Sequence, residues 1–322
     1  MVAILEEGNF RKSGKGKTFM RRFVTVQLSG GLGNQLFQYM AGLYLAEKSN
    51  KNLRVDVSEI ARVKNNHETN LKNLEFPASY VDIRQVLGKF RYFLLRGLVY
   101  AQRQKPSLYA KFKILPKYHS SSVVGYDARL LEQPFPTFIR GYYQTWKYLH
   151  EMETLPFILN PGKSLSSKWL DELVPQISQP GQVAIHVRRG DFLEQGESWG
   201  VISSEFYRNS LLYLMENSSV TKVWVFSDSV PSIFEEFSLM IASLGLEAFW
   251  PDRGRDRSAE ENLVLMSSSN AIVIANSTFS WWGATLGNPA KIVIAPTKWF
   301  RARRDPEFLI PDHWVQMESV WS

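Results

Sequence analysis

The chain has 322 residues, enough for two domains or for one large domain, and an apolar content of 44% supplies a sizeable core. Its formal net charge of +7 and pI near 9.4 imply acidic partners: nucleic acid, anionic lipid head groups or phosphorylated small molecules. It holds no cysteine, which excludes a disulfide framework and a thiolate metal site, and no apolar run reaches the roughly 18–20 residues that span a bilayer.

Residues 1–19 lack the apolar stretch of a signal peptide and read as a flexible basic leader. From Met20, "RFVTVQLSGGLGNQLFQYMAGLYLAEKSN" reads as strand, glycine turn and helix, with Phe23, Val24, Val26 and Leu28 in the strand. Leu36, Met40, Leu43 and Leu45 fall close to helical spacing, and "NLRVDVSEI" gives the next strand, which predicts a β-α-β unit. Residues 83–126 carry no acidic side chain and many basic ones among aromatics. This stretch reads either as helix with a solvated basic face or as a surface for an anionic membrane or acceptor. "FIRGYYQTWKYL" follows as an aromatic-rich strand and turn, and "LNPGKS" at 159–164 is a plausible domain junction.

Beyond it the rhythm is regular. "GQVAIHVRRGD", "KVWVFSDS", "NAIVIANS" and "KIVIAPTKWF" read as strands. Between them lie the helices "SSEFYRNSLLYLMENS", opened by Ser203 or Ser204, "VPSIFEEFSLMIASLG", "AEENLVLMSSS" and the turn into helix "STFSWWGATLG". Strands alternating with helices of this length predict parallel sheet with helices on both faces.

In such folds ligands sit beyond the carboxyl ends of the strands, where four polar stretches fall. In "SGGLGNQ", glycines allow close approach of backbone to a phosphate, and the N–H groups opening a helix attract anions. The dinucleotide fingerprint is only partly met, because Gly31 and Gly33 fit while Leu36 takes the third glycine position. Asp56 follows about where a ribose carboxylate would sit, so a nicotinamide-dependent oxidoreductase is a competing reading. In "HVRRGD", the arginine fork suits phosphate oxygens and stays charged at any working pH; the bland alternative is that Asp191 neutralises one arginine. "FSDS", with Ser227 and Asp228, suits a base edge or ribose hydroxyls, or is a plain turn. In "ANSTFSWWGATLG", Asn276, Ser277 and Thr278 are placed to cap the following helix and leave further N–H groups for an anion. Phe279 is placed to flank a base or sugar, and Trp281 and Trp282 read as core packing. There is no P-loop, no D-x-D pair and no zinc spacing among the histidines, so a diphosphate here must be neutralised by arginines and backbone dipoles. A nucleic-acid binder is suggested by the pI alone, and no recognised module of that kind is present.

"SGGLGNQLFQYMAG", "HVRRGD", "FSDS", "NSTFSWWGATLG" and "KIVIAPTKWF" resemble the bacterial α-1,2-fucosyltransferases of glycosyltransferase family 11, and "GYYQTWKY" is similar to that family's "GYFQ" segment. The likeness runs from about Met20 to the C-terminus in the family's order. The resemblance implies an α/β fold of the GT-B type, two Rossmann-like domains facing a cleft. Residues 20–160 would form the acceptor-side domain and 161–322 the donor-binding one. It implies GDP-L-fucose as donor, a terminal β-galactoside as acceptor, inversion at the anomeric carbon, no metal and no other cofactor. His186 and Arg188 would contact the nucleotide, with Arg188 the pyrophosphate clamp aided by Arg189. Asp228 would help hold guanosine. Ser277, Thr278, Phe279 and Ser280 would meet the phosphates. Gly31, Gly33 and Asn34 would close over the diphosphate and fucose. Asp191 is the candidate base for the acceptor hydroxyl, with Glu194 and Glu197 as alternatives. The same fold using another GDP-sugar stays open. The expected setting is a bacterial cytoplasm, with the basic-aromatic stretch touching an anionic inner membrane and no nucleic-acid partner.

Overall fold

The computed structural model describes residues 23–60, 71, 74, 76, 78–88, 92–94, 97, 100, 118–132, 135–152, 167–190, 198–253 and 257–322. The leader 1–19, the junction at 159–164, most of 83–126 and the residues Asp191, Glu194 and Glu197 lie outside them.

The first sheet comes from β1 (Phe23–Gln27), β2 (Asn52–Asp56), β3 (Ser79–Val81), β4 (Tyr118–Ser120) and β5 (Phe138–Arg140). Its order is β3-β2-β1-β5-β4, with every pairing parallel. Helix α1 (Leu32–Lys48) makes the crossover from β1 to β2, as the periodicity predicts, and short helices α2 (Ile83–Leu87) and α3 (Lys147–His150) follow β3 and β5. Gly42 lets α1 lie close on its sheet, since a Cβ there would come 2.9 Å from atoms of both Val26 and Leu53.

The second sheet is built from β6 (Gln182–Val187), β7 (Lys222–Ser227), β8 (Glu247–Phe249), β9 (Ala271–Val273), β10 (Ile292–Pro296) and β11 (Val315–Met317). Its order is β11-β10-β9-β6-β7-β8, again parallel throughout. The helices are α4 (Lys168–Ile177), α5 (Ser204–Asn217), α6 (Val230–Ser243), α7 (Ala259–Ser267) and α8 (Thr278–Thr285). In β6, Val183, Ile185 and Val187 point into a core shared with Phe206, Tyr207 and Phe237, while Ala184 joins the opposite core with Leu263 and Trp281. Burial on both faces explains why the strand reads as a continuous apolar run rather than an alternation. His186 shares the parity of Ala184 and so faces the α8 side.

Both sheets therefore have a topological switch, where the strand order reverses: between β1 and β5 in the first, between β6 and β9 in the second. The two sheets share one apolar core, because Phe37 of α1 packs on Trp281 and Trp282 of α8 with ring centroids 4.6 and 5.1 Å apart. Trp281 and Trp282 are fully buried, as their sequence setting predicts. This is the two-lobed α/β layout expected for the GT-B type. At the far end of α8 the Lys291 ammonium donates to the carbonyls of Ser267, Gly283 and Leu286 at 2.7, 3.0 and 2.9 Å. These are buried acceptors at the C-termini of α7 and α8, which a cation satisfies. Burial pulls the Lys291 pKa down to about 7. Three carbonyl acceptors need three donors, which only the protonated amine has.

Candidate active site at the two switch points

The turn after β1 is held before any ligand arrives. Gly30 adopts φ +73°, and Gly31 forms the N-cap of α1 without any side-chain cap. Gln38 clamps the turn by accepting from Ser29 N at 2.8 Å and donating to the Ser29 carbonyl and hydroxyl, and Gln35 donates to Gly30 O at 3.0 Å. Asn34 Oδ1 accepts from Gln144 Nε2 at 2.9 Å, a bond that crosses the β1/β5 switch point. Gln144 lies in the quoted "GYYQTWKY" segment, but its role was not legible because a lone glutamine in a turn carries no pattern.

The turn after β9 opens α8 in the same way. Ser277 is the N-cap and makes no side-chain cap hydrogen bond, and Ser280 Oγ donates back to Ser277 O at 3.2 Å. The capping expected of Asn276, Ser277 and Thr278 is therefore corrected: none of these side chains caps the helix. Asn276 is instead a buried tie whose amide donates to the carbonyls of Trp199, Gly200 and Trp299 at 3.1–3.3 Å.

The two turns meet. A Cβ on Gly33 would lie 2.5 Å from Phe279 N and 2.5 Å from Thr278 C, so the backbone at the start of α1 rests on the backbone at the start of α8. Each helix N-terminus carries about half a positive charge and first-turn N–H groups with no intrahelical acceptor. Two such ends in contact repel, and an anion placed between them relieves the repulsion while taking up the N–H groups.

His186, the penultimate residue of β6, lies beside this junction, with its ring centroid 5.6 Å from that of Phe279. Its carbonyl accepts from the Tyr207 hydroxyl at 2.8 Å, and Tyr207 escaped sequence reading because a helical aromatic looks like ordinary core. Burial pushes the His186 pKa down to about 4, with Asp228 working against the shift and Arg188 with it. The imidazole is thus neutral near pH 7, and its buried Nδ1 has no hydrogen-bond partner among the described residues. Because the unfolded chain takes up this proton near 6.5 and the folded one only near 4, stability falls as pH drops through that window. The expected loss is about 3 kcal/mol. Urea midpoints between pH 7 and 4 should show this slope in the parent and a flatter one in His186→Asn. Equal slopes would remove His186 as its source.

The neighbouring arginines part company. Arg188 Nη1 pairs with Asp228 Oδ2 at 3.0 Å, and Asp228 Oδ1 accepts from Arg189 N at 3.0 Å. Gly190 leaves the space in which the Asp228 carboxylate lies. The Arg189 guanidinium turns elsewhere, donating to Ser322 Oγ at 3.1 Å and lying 3.7 Å from Glu236. Ser227 Oγ accepts from Ser229 N at 3.1 Å, so that hydroxyl closes the local turn. The partner found for Arg188 is Asp228, the residue that follows β7.

Asp56 does not fit a ribose role. It is fully buried, with Oδ1 accepting from Ser58 N and Ile83 N and Oδ2 from Gln27 Nε2 and Ser58 Oγ, all at 2.8–3.1 Å. Four donors use the capacity of a carboxylate, which removes the main support for the nicotinamide reading. Among the described residues no three His, Asp or Glu side chains gather as a metal site, and no helix is long and apolar enough to cross a membrane.

Known proteins resemble this chain over most of its length. An Escherichia coli protein named alpha-1,2-colitosyltransferase is 30% identical over 303 residues, spanning 92% of this chain and 99% of that protein. A second from Escherichia coli, the O-antigen biosynthesis glycosyltransferase WbnK, is 26% identical over 316 residues, spanning 90% of this chain and 99% of its own. Among solved structures, the fucosyltransferase NodZ from Bradyrhizobium is 12% identical, with 83% of this chain and 93% of that chain covered at a TM-score of 0.45. The sequence pattern of the family described as Glycosyl transferase family 11 matches residues 23–318, and this chain belongs to that family.

Proposed function

We propose that this glycosyltransferase moves L-fucose from GDP-L-fucose to the 2-hydroxyl of a terminal β-galactoside, with inversion and without a metal. The observation that carries the reading is the contact of two uncapped helix N-termini at the switch points, beside Arg188 and a neutral His186. That arrangement suits a diphosphate better than a single phosphate, because charge on two phosphates can meet both helix ends and the guanidinium together.

In this reading the galactose hydroxyl attacks the anomeric carbon as GDP leaves from the opposite face. Negative charge gathers on the β-phosphate oxygen. Arg188 and the N–H groups opening α1 and α8 stabilise it without reorganising, which is electrostatic preorganisation. His186 Nδ1, protonated as the neutral tautomer, donates to a phosphate or ribose oxygen. Asp228 holds Arg188 in place, and Phe279 flanks the sugar or base. Asp191, or Glu194 or Glu197, takes the hydroxyl proton. Arg189, anchored on Ser322 and Glu236, adds longer-range positive charge.

The relative named as a colitosyltransferase favours a second reading, the same chemistry with another nucleotide-linked deoxysugar. The deciding experiment offers GDP-L-fucose and a colitosyl donor with a panel of β-galactosides, with EDTA present, and follows GDP release and the linkage formed. A new α-1,2-fucosyl bond is the expected result. No GDP release from any donor, or release that needs an added divalent cation, overturns the proposal.

A further inference from the structure

A cavity of about 240 Å³ opens where the first lobe meets the loop after β10, with Trp146 on one side and Trp299, Asp305, Phe308, Asp312 and Gln316 on the other. We infer that this cavity is the acceptor subsite and that it takes a neutral sugar ring of a glycan. The inference rests on the transferase reading above and adds to it a place and a recognition chemistry for the acceptor.

The lining has two kinds of surface. Trp146 and Phe308 stand edge to face, with centroids 6.3 Å apart and planes at 87°. Phe308 is 44% exposed although its backbone sits at φ +58°, a conformation that costs energy for any residue but glycine. Three hydrogen bonds hold that backbone. The Phe308 carbonyl accepts from Trp146 N and Thr145 Oγ1, both at 2.9 Å, and the next carbonyl, of Leu309, accepts from Trp281 Nε1 at 2.8 Å. The fold therefore spends strain to hold this ring half open: the Lys147 ammonium lies 3.7 Å from its centroid and Tyr126 meets it edge to face, and the part left exposed at the cavity suits the C–H groups of a sugar. The polar side is acceptor-rich. Asp305 gives one oxygen to Phe300 N at 2.8 Å. Asp312 and Gln316 are exposed and make no side-chain hydrogen bond to the described residues. Carboxylates and an amide suit sugar hydroxyls, whereas two carboxylates in so small a space repel a diphosphate. In a chain of net charge +7, this acidic pocket separates a neutral ligand from the anionic donor.

The walls are also tied to the donor turns. Trp146 lies two residues beyond Gln144, which holds Asn34; the Trp299 carbonyl accepts from Asn276, next to Ser277; and Leu309 is bonded to Trp281 in α8. A sugar in the cavity thus touches residues fixed to both helix N-termini.

The test uses the full chain. Saturation-transfer NMR with methyl β-D-galactopyranoside, without donor, should show transfer from aromatic protons to the sugar. Phe308→Ala and Asp312→Asn should each weaken that signal and raise the acceptor KM for lactose at least tenfold, with GDP affinity by tryptophan fluorescence unchanged within twofold. Asp312 is exposed, so its variant tests the site without risk to folding. Unchanged acceptor KM in both variants, or sugar binding that survives them, overturns the subsite. If the parent chain itself binds no GDP, the donor reading fails instead.

Discussion

Arg188→Ala should lower transfer by two orders of magnitude or more, about the effect of deleting one donor that stabilises a developing oxyanion. Arg188 directly follows β6, a central strand of the second sheet, and its pairing with Asp228 fixes the guanidinium. At an effective dielectric near 20, opposite unit charges roughly 4–5 Å apart attract by about 3–4 kcal/mol, so a guanidinium at that distance from the departing diphosphate would by itself supply much of the expected loss. A second effect adds to it. With Arg188 gone, Asp228 keeps its bond from Arg189 N but loses its guanidinium, and a bare carboxylate then faces an incoming diphosphate. Arg188→Lys separates the contributions, because lysine keeps the charge and loses the planar fork. It should recover part of the GDP affinity and little of the turnover. The measurement is kcat/KM for GDP-fucose beside the GDP Kd. An alanine variant within a few-fold of the parent would show that the diphosphate is neutralised elsewhere.

Why the sequence yielded some parts of this site and withheld others is a matter of range. The β1–α1–β2 unit was legible because a strand, a glycine turn and a 17-residue helix are all local patterns. Strands β3, β4, β8 and β11 were not read as strands: each has only three residues, none fully buried, whereas the equally short β9 lies within the buried apolar run "AIVIA". Helix α4 was hidden by Pro175, which reads as a breaker although it sits inside the helix.

Site chemistry divided along the same line. The glycine turns and the arginine pair announce an anion through residue type alone. Partnership across the fold is not written locally. Nothing near residue 188 points to Asp228, just past the end of the neighbouring strand, and nothing near residue 34 points to Gln144, which is 110 residues away. Asp56 shows the converse error. Its spacing from the glycines invites a ribose, but Gln27, Ser58 and the start of α2 claim both oxygens. Sequence spacing places a side chain near an edge; only packing decides whether it faces the ligand or the core.

Gly33→Ala tests that packing most directly. In an ordinary helix position this change stabilises, because alanine is favoured over glycine by about 1 kcal/mol. At Gly33 the sign should reverse. The added carbon would lie 2.5 Å from both Phe279 N and Thr278 C, which are backbone atoms with no rotamer to turn aside. Relief requires α1 and α8 to move apart, and both are held: α1 by Gly42 against β1 and β2, α8 by its tryptophans against Phe37 and by Lys291 at its far end. The strain therefore falls on the contact itself. Thermal stability should drop rather than rise, and GDP affinity and transfer should fall together by at least tenfold, since the anion loses one of its two helix ends. Gly97→Ala serves as the control, because a Cβ there meets nothing within 4 Å. If Gly33→Ala instead raised the melting temperature and bound GDP like the parent, the two helix ends would not be the paired cradle on which donor binding depends, and diphosphate recognition would have to rest on Arg188 and His186 alone.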